Sequence, residues 1–261
     1  GSDADVENPA AAGPVTIAGG QPRAIAAGLF HTCAIVQDGS TRCWGFDADG
    51  RLGNGDTKNV PENISDAAAA RPIDFGPGRR ASAITAGLSH TCALLDDATV
   101  RCWGRGIDGR LGSGAKQSIG DDETPGSQPP VALGRPAIAV AAGDFHTCAV
   151  LDNGDVRCWG LGEDGRLGLG DTQNVGDDEA PVSRPPVALG RPARAVTAGS
   201  RQTCGINRQD RLVGGTRITR QRDRVGIFGL EKVGPVLRHF LDDVGVHLEG
   251  EDAVVAAVPV A

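Results

Sequence analysis

Cysteine, histidine and tryptophan recur in this chain at fixed spacing, and they are the residues whose types could carry chemistry. Six of the seven cysteines form three pairs with one common spacing, Cys33/Cys43, Cys92/Cys102 and Cys148/Cys158. A histidine stands two residues before the first cysteine of each pair and a tryptophan directly follows the second: His31 and Trp44, His90 and Trp103, His146 and Trp159. Thiols and imidazoles bind metals, and paired thiols form disulfides.

The spacing within each cysteine pair favours a cross-link over a metal site. Asp38-Gly39 and Asn153-Gly154 lie midway between the cysteines of two pairs, as in the turn of a β-hairpin. Both cysteines of a pair then stand opposite each other on adjacent antiparallel strands, within disulfide range. Zinc ligands usually come as close Cys-x-x-Cys pairs. We therefore expect three disulfides and an oxidising, extracytoplasmic compartment, with buried reduced thiols and a metal site as the alternatives.

The motif repeats with a regular period. The first cysteines, Cys33, Cys92, Cys148 and the unpaired Cys204, are 59, 56 and 56 residues apart. The 39 glycines and 16 prolines, with only 3% aromatic residues, predict many turns between short strands. Each repeat offers about four strands: an Ala/Ile run, the strand around the first cysteine, the strand ending in Cys-Trp-Gly, and a Pro-Val-Ala-Leu strand. A radially repeated unit of four short antiparallel strands is a propeller blade.

Three sequence signatures resemble the repeat of the regulator of chromosome condensation (RCC1) family. They are Ala-Gly-x-x-His-Thr-Cys-Ala, Cys-Trp-Gly, and Gly-Arg-Leu-Gly-x-Gly, in which Arg51, Arg110 and Arg166 replace the family's usual Gln. The resemblance implies an all-β, RCC1-like β-propeller, which usually has seven blades. The paired cysteines resemble the bacterial, exported branch of the family.

The repeat pattern predicts an incomplete propeller of about three and a half repeats. We expect a leader or linker at 1–20, repeats at about 21–80, 81–136 and 137–192, and a partial repeat at 193–205. In the fourth repeat Gly214-Gly215-Thr216 stands where Cys-Trp-Gly is due, and 206–261 is a divergent C-terminal segment of uncertain structure. An incomplete ring exposes apolar faces, so the chain is expected to be a fragment, to close as a small ring, or to pair with another chain, including a copy of itself.

Two further groups of polar residues repeat with the period. His31, His90 and His146 would form a ring, and we expect each to make a structural hydrogen bond inside its own blade rather than to hold a metal at the axis. The clusters Asp121, Asp122, Glu123 and Asp177, Asp178, Glu179 are expected on one rim, as solvated loops or as docking loops for a basic partner.

Composition and motifs exclude several classes of function. The formal net charge of −7 argues against a surface that binds nucleic acid. The sequence contains no run of 18 apolar residues, so we expect no membrane span. No Ser/His/Asp or Cys/His set repeats with the period, so we expect neither an enzyme nor a cofactor.

The function expected from the sequence is that of an exported, non-catalytic protein-binding module with an unknown partner. The resemblance implies that such a module could inhibit a secreted enzyme. One alternative is guanine nucleotide exchange on a small GTPase, which requires reduced thiols. A structural repeat array in a larger surface protein is the other.

Overall fold

The structure, a computed structural model, describes residues 15–60, 64–207 and 212–213. Twelve strands form four antiparallel sheets of three consecutive strands each, which we call blades 1 to 4. The strands are β1 (Pro22–Ala27), β2 (His31–Val36), β3 (Thr41–Gly45), β4 (Ala81–Ala86), β5 (His90–Leu95), β6 (Val100–Gly104), β7 (Ala137–Ala142), β8 (His146–Leu151), β9 (Val156–Gly160), β10 (Ala193–Ala198), β11 (Thr203–Asn207) and β12 (Leu212–Val213). The predicted leader and the predicted segment 206–261 lie almost wholly outside the described residues.

Short 3-10 helices connect the blades, and none of the described helices is long and apolar enough to cross a membrane. They are Ala48–Gly50, Ile64–Ala69, Ile107–Gly109, Pro125–Ser127, Glu163–Gly165 and Pro181–Ser183. Within the first of them Asp49 adopts a left-handed backbone with φ 63°. The Asp-Gly-Arg-Leu-Gly stretches are therefore turns, as their composition predicts.

The first and second strands of each blade pair throughout, and the first strand lies innermost. The four inner strands, β1, β4, β7 and β10, contact one another in sequence order. A hydrogen bond also joins two neighbouring blades: the backbone N–H of Ala142 in β7 donates to Oγ1 of Thr85 in β4 at 3.0 Å. Consecutive sheets therefore stand side by side around a common axis, as blades of a propeller do.

Ala98 stands at the hairpin-turn position that glycine occupies in blades 1 and 3, so a positive φ at this position predicts a strained second turn. Gly39 and Gly154 occupy the same turn position with φ of 83° and 86°, a region that glycine enters without steric cost. Ala98 adopts φ 63° at this position. The second turn is thus strained relative to the other two, as its sequence predicts.

The prediction of a fourth strand in each repeat is wrong. Val131 donates one backbone hydrogen bond to Val100 O at 2.8 Å, and Val187 donates one to Val156 O at 2.8 Å. These segments form no ladder because Pro129-Pro130 and Pro185-Pro186 directly precede them and lack the N–H groups that a ladder needs. The outer edges of blades 1 to 3 carry isolated bridges instead, at Gly45↔Val60, Gly104↔Ile119 and Gly160↔Val175, with Arg42↔Pro72 as a second one in blade 1.

The hydrophobic core lies between blades. Trp103 and Trp159 are fully buried, whereas Trp44 in blade 1 is only half-buried. The Gly-Arg-Leu-Gly loop of the preceding blade closes over each buried indole: a Cβ on Gly53 would lie 2.8 Å from Nε1 of Trp103, and one on Gly112 2.9 Å from Nε1 of Trp159. Glycine at these two positions is what lets the backbone approach the ring.

Candidate functional site

The paired cysteines lie face to face at the centre of each blade. Directly opposed residues of β2/β3, β5/β6 and β8/β9 form the disulfides Cys33–Cys43, Cys92–Cys102 and Cys148–Cys158, with Cα–Cα distances of 4.0, 4.1 and 4.1 Å. All six sulfur-bearing residues are buried. Each disulfide therefore joins the second and third strand of its own blade and leaves no thiolate for metal binding or catalysis.

Cys204 occupies the corresponding position in β11 and is a free, half-buried cysteine. Burial raises the pKa of its thiol above the ordinary value of 9.0. A thiol with a raised pKa is a poor nucleophile at neutral pH, so Cys204 is not a candidate for nucleophilic catalysis.

The histidines make their hydrogen bonds between blades, so the prediction of a bond inside the same blade is wrong. Nε2 of each histidine lies 2.8–2.9 Å from Oγ1 of a threonine in the next blade. That threonine directly follows the next histidine, or Gln202 in blade 4. The pairs are His31 with Thr91, His90 with Thr147, and His146 with Thr203.

Each threonine also makes a hydrogen bond to the blade that carries its histidine partner. Its hydroxyl donates to the backbone carbonyl of Arg51, Arg110 or Arg166, at 3.3, 3.1 and 3.2 Å. We call this set of three groups (histidine, threonine of the next blade, arginine carbonyl) the relay. Sequence reasoning missed its threonine and its carbonyl, although a threonine follows every repeat histidine and the arginine recurs in all three Asp-Gly-Arg-Leu-Gly stretches.

The relay fixes the protonation of the histidines. A threonine hydroxyl has one proton, and giving it to the carbonyl leaves the oxygen to accept from N–H at His Nε2. Nδ1 then carries no proton and lies buried without a partner in all three rings. Burial, followed by the nearby charge of Arg51 or Arg166, lowers the pKa of His31 and His146 from 6.5 to about 4. Burial also lowers the pKa of His90 well below its ordinary value.

The two buried tryptophans use the same carbonyls. Nε1 of Trp103 donates to Arg51 O and Nε1 of Trp159 to Arg110 O, each at 3.1 Å. One arginine carbonyl thus accepts both a threonine and an indole from the following blade. Because a carbonyl oxygen has two lone pairs, both bonds can form at once.

The arginine side chains anchor those carbonyls. Arg51, Arg110 and Arg166 are 5%, 3% and 2% exposed. Each guanidinium pairs with the left-handed aspartate two residues earlier, for example Arg110 Nη2 with Asp108 at 2.8 Å. Arg110 Nε also donates to the carbonyl of Ile107 at 2.9 Å. The buried charge is therefore compensated locally, and the loop that carries the acceptor carbonyl is held in place.

Blade 1 also holds a buried carboxyl group where blades 2 and 3 have glycine. Asp47 is fully buried, and its Oδ1 accepts from Leu52 N–H at 2.8 Å while Oδ2 has no partner. Burial raises the pKa of Asp47 to about 7. The other repeats have Gly106 and Gly162 at this position, so this carboxyl is not part of the repeated architecture.

The acidic clusters lie on loops at the surface. The carboxylate oxygens of Asp121, Asp122 and Glu123 come within 4.8 Å of one another, as do those of Asp177, Asp178 and Glu179. Burial, aided by the neighbouring aspartates, raises the pKa of Glu123 and of Glu179 to about 7. Backbone bonds hold both loops against the preceding blade, Gly55 N to Gly120 O and Gly114 N to Gly176 O at 3.1 Å each. The fold thus presents two repeat-related concentrations of negative charge, which we call the acidic loops; in the second, Lys116 Nζ pairs with Asp177 at 3.3 Å.

An aromatic patch lies on blade 1. Phe30 and Phe46 are 60% and 44% exposed and meet edge to face, with ring centroids 6.2 Å apart. Ile25 and Leu29 nearby in the chain are also exposed, at 64% and 54%. The residue of blade 3 that corresponds to Phe30, Phe145, lies instead against the guanidinium of Arg110 from blade 2.

Comparisons with known proteins agree with this architecture. Two sequence profiles, both described as Regulator of chromosome condensation (RCC1) repeat, match residues 23–51, 81–110 and 137–166 and residues 38–94, 97–150 and 153–206. The chain is 32% identical over 192 residues to the ultraviolet-B receptor UVR8 of Arabidopsis thaliana, covering 73% of this chain and 40% of the receptor. It is 31% identical over 157 residues to protein pim1 of Schizosaccharomyces pombe, covering 56% of this chain and 28% of that protein.

Solved structures show the same fold. Human WBSCR16 superposes with a TM-score of 0.59 at 19% identity, over 73% of this chain and 46% of that one. Yeast RCC1 (Prp20) bound to Kap60 gives a TM-score of 0.57 at 19% identity, over 77% of this chain and 45% of that one. The chain thus spans less than half the length of these relatives. The predicted fold, an incomplete all-β propeller of RCC1-like repeats, is confirmed.

Proposed function

Because this chain belongs to the regulator of chromosome condensation (RCC1) repeat family, we propose that it is a non-catalytic module that binds another protein through loops on its rim. Most of the repeated residues that could carry chemistry are used to hold the fold together: six cysteines form disulfides, and the three histidines, Trp103 and Trp159 make hydrogen bonds between blades. Yeast Prp20, with the same fold, has been solved with Kap60 bound.

The acidic loops are the surface that we propose for the partner. Six carboxyl groups in two clusters, in a chain of net charge −7, repel one another and attract cations. The raised pKa values of Glu123 and Glu179 reflect partial burial together with this crowding. A partner that places lysine or arginine against each cluster would relieve the repulsion, so a basic surface is the chemistry expected of it.

Charge neutralisation tests this proposal. A variant in which all six carboxylates become their amides is compared with wild type as bait on extracts of the source cell's exported proteins, and retained proteins are identified by mass spectrometry. We expect a basic protein to bind wild type at least tenfold more tightly than the variant, with affinity falling as salt rises. A matched control neutralises Asp152 and Asp155, on a hairpin turn of blade 3, and should leave binding unchanged. Equal binding by the six-fold variant would show that the acidic loops are not the contact surface.

We further propose that the module works outside the cytoplasm, since its three disulfides need oxidising conditions, whereas nucleotide exchange inside the cell would require reduced thiols. The intact mass of the untreated natural protein discriminates between the two functions. A mass lower than that of the fully reduced chain by six hydrogen atoms, two for each disulfide, supports export. A fully reduced chain would favour the exchange-factor alternative instead.

Residues 21–205 are proposed as the folded repeat unit, and blade 1 as its incomplete side. The exposed patch of Phe30 and Phe46 and the half-buried Trp44 mark a face on which further blades or a second copy could pack. Sedimentation of the chain over a range of concentrations tests self-association. A strictly monomeric protein would leave only additional blades as the cover for this face.

A further inference from the structure

A cleft between blades 3 and 4 lies where the fold places a tryptophan in the earlier blades. It has a volume of about 180 Å³ and is lined by residues of both blades, among them Cys158, Leu167, Gly168, Leu189, Val196 and Thr203. Most of these side chains are aliphatic. An apolar cavity of about 150 Å³ is enough to take up a benzene ring, so this cleft offers room for an aromatic group.

In blades 2 and 3 an indole ring occupies the space that corresponds to the cleft. There, the indoles of Trp103 and Trp159 fill the gap under the Leu-Gly step of the preceding blade and are fully buried. Leu167 and Gly168 provide the same Leu-Gly step at the cleft. In the sequence, Gly215 stands at the tryptophan position of the fourth repeat.

The hydrogen-bonding groups of the cleft are also those of an indole site. Arg51 O and Arg110 O each accept two bonds from the following blade, one from a threonine hydroxyl and one from a tryptophan N–H. Arg166 lines the cleft, and among the described residues its carbonyl accepts only from Thr203 Oγ1, at 3.2 Å. One lone pair of this carbonyl therefore has no donor within the described part of the chain.

We propose that this cleft is a binding site for an indole group supplied from outside the chain. The ring would lie between Leu167 and Val196, and its N–H would donate to Arg166 O as the indoles of blades 2 and 3 donate to their carbonyls. Free indole and the side chain of a tryptophan-bearing peptide share this chemistry, and the experiment separates the two sources.

Calorimetric titration of the full chain with indole tests the proposal. We expect one indole per chain, with a dissociation constant between about 10 µM and 1 mM, the range for a ligand of nine heavy atoms. Benzothiophene, which has the same shape but no N–H, should bind at least fivefold more weakly. N-acetyl-tryptophanamide is the peptide arm: binding at least as tight as that of indole identifies a tryptophan side chain as the ligand, and weaker binding identifies free indole.

Two variants locate the site. Leu189→Trp fills the cleft with an indole carried by one of its own lining residues and should weaken indole binding at least tenfold. Phe46→Ser removes an exposed aromatic residue elsewhere and should leave indole binding unchanged. Absence of binding at 5 mM indole, equal affinity for benzothiophene, or unaltered binding by a folded Leu189→Trp protein would each overturn the proposal.

Discussion

Replacing His146 by glutamine should remove part of the acid sensitivity of this fold. Glutamine retains an N–H donor for Thr203 but does not titrate. In blade 4 the chain already has glutamine at this position: the side chain of Gln202 packs against Gly199. The backbone carbonyl of Gln202 accepts from the Gly199 N–H at 2.9 Å, just as the backbone carbonyl of His31 accepts from Gly28. His146→Gln is therefore a substitution that the architecture already accommodates.

The expected magnitude follows from the lowered pKa of His146. Its pKa falls from 6.5 to about 4 in the folded chain, so between these pH values the unfolded chain binds a proton that the folded chain does not. The associated stability is fully present above pH 6.5 and is lost as pH falls toward 4. At about 1.4 kcal/mol per pH unit, the loss amounts to about 3 kcal/mol by pH 4.5. His146→Gln should lack this loss.

Urea unfolding at pH values from 7.5 to 4.5, followed by the fluorescence of the buried Trp103 and Trp159, measures the effect. Other titrating groups are common to both proteins, so the difference between their free energies of unfolding isolates His146. We expect that difference to shift by about 3 kcal/mol in favour of the variant on acidification. His31→Gln should behave in the same way, because the pKa of His31 is also lowered to about 4. Parallel curves for wild type and both variants would refute the lowered pKa of the two buried histidines.

Three further predictions concern single residues outside the relay. Ala98→Gly should stabilise the fold by about 1 kcal/mol in thermal unfolding because Ala98 has φ 63°, whereas Gly154→Ala should destabilise it by more, since the new Cβ would press against Pro192. Asp47→Asn should raise the free energy of unfolding by at least about 2 kcal/mol at pH 7.5 and leave it unchanged near pH 4. The pKa of Asp47 is about 7 in the folded chain and 3.8 in the unfolded chain, so wild type loses stability as pH rises between those values. A stabilisation of the variant that persists at pH 4 in urea unfolding would contradict this. Thiol titration of the unreduced chain in denaturant should find one thiol, that of Cys204, and reduction should raise the count to the seven cysteines of the sequence; three or more thiols before reduction would exclude the full set of disulfides.

The sequence by itself determined the repeat, the hairpins and the cysteine pairs. These are local properties: a turn-forming dipeptide midway between Cys148 and Cys158 fixes which residues face each other, whatever lies beyond the hairpin. The strain at Ala98 was readable for the same reason, since the turn that surrounds it is defined by its immediate neighbours. The Pro-Val-Ala-Leu run predicts a fourth strand by its apolar residues, but the two prolines that begin it remove the N–H groups that a ladder needs.

The tertiary structure alone decided where the repeat histidines find their partners. His90 and Thr147 are 57 residues apart, and nothing in either repeat states which blade covers which. The position of the arginine carbonyls and the cleft beside Leu167 depend equally on how neighbouring sheets stack. Contacts within a hairpin follow from chain connectivity, whereas contacts between blades exist only once the sheets are packed around their axis. The relay and the cleft belong to the second kind.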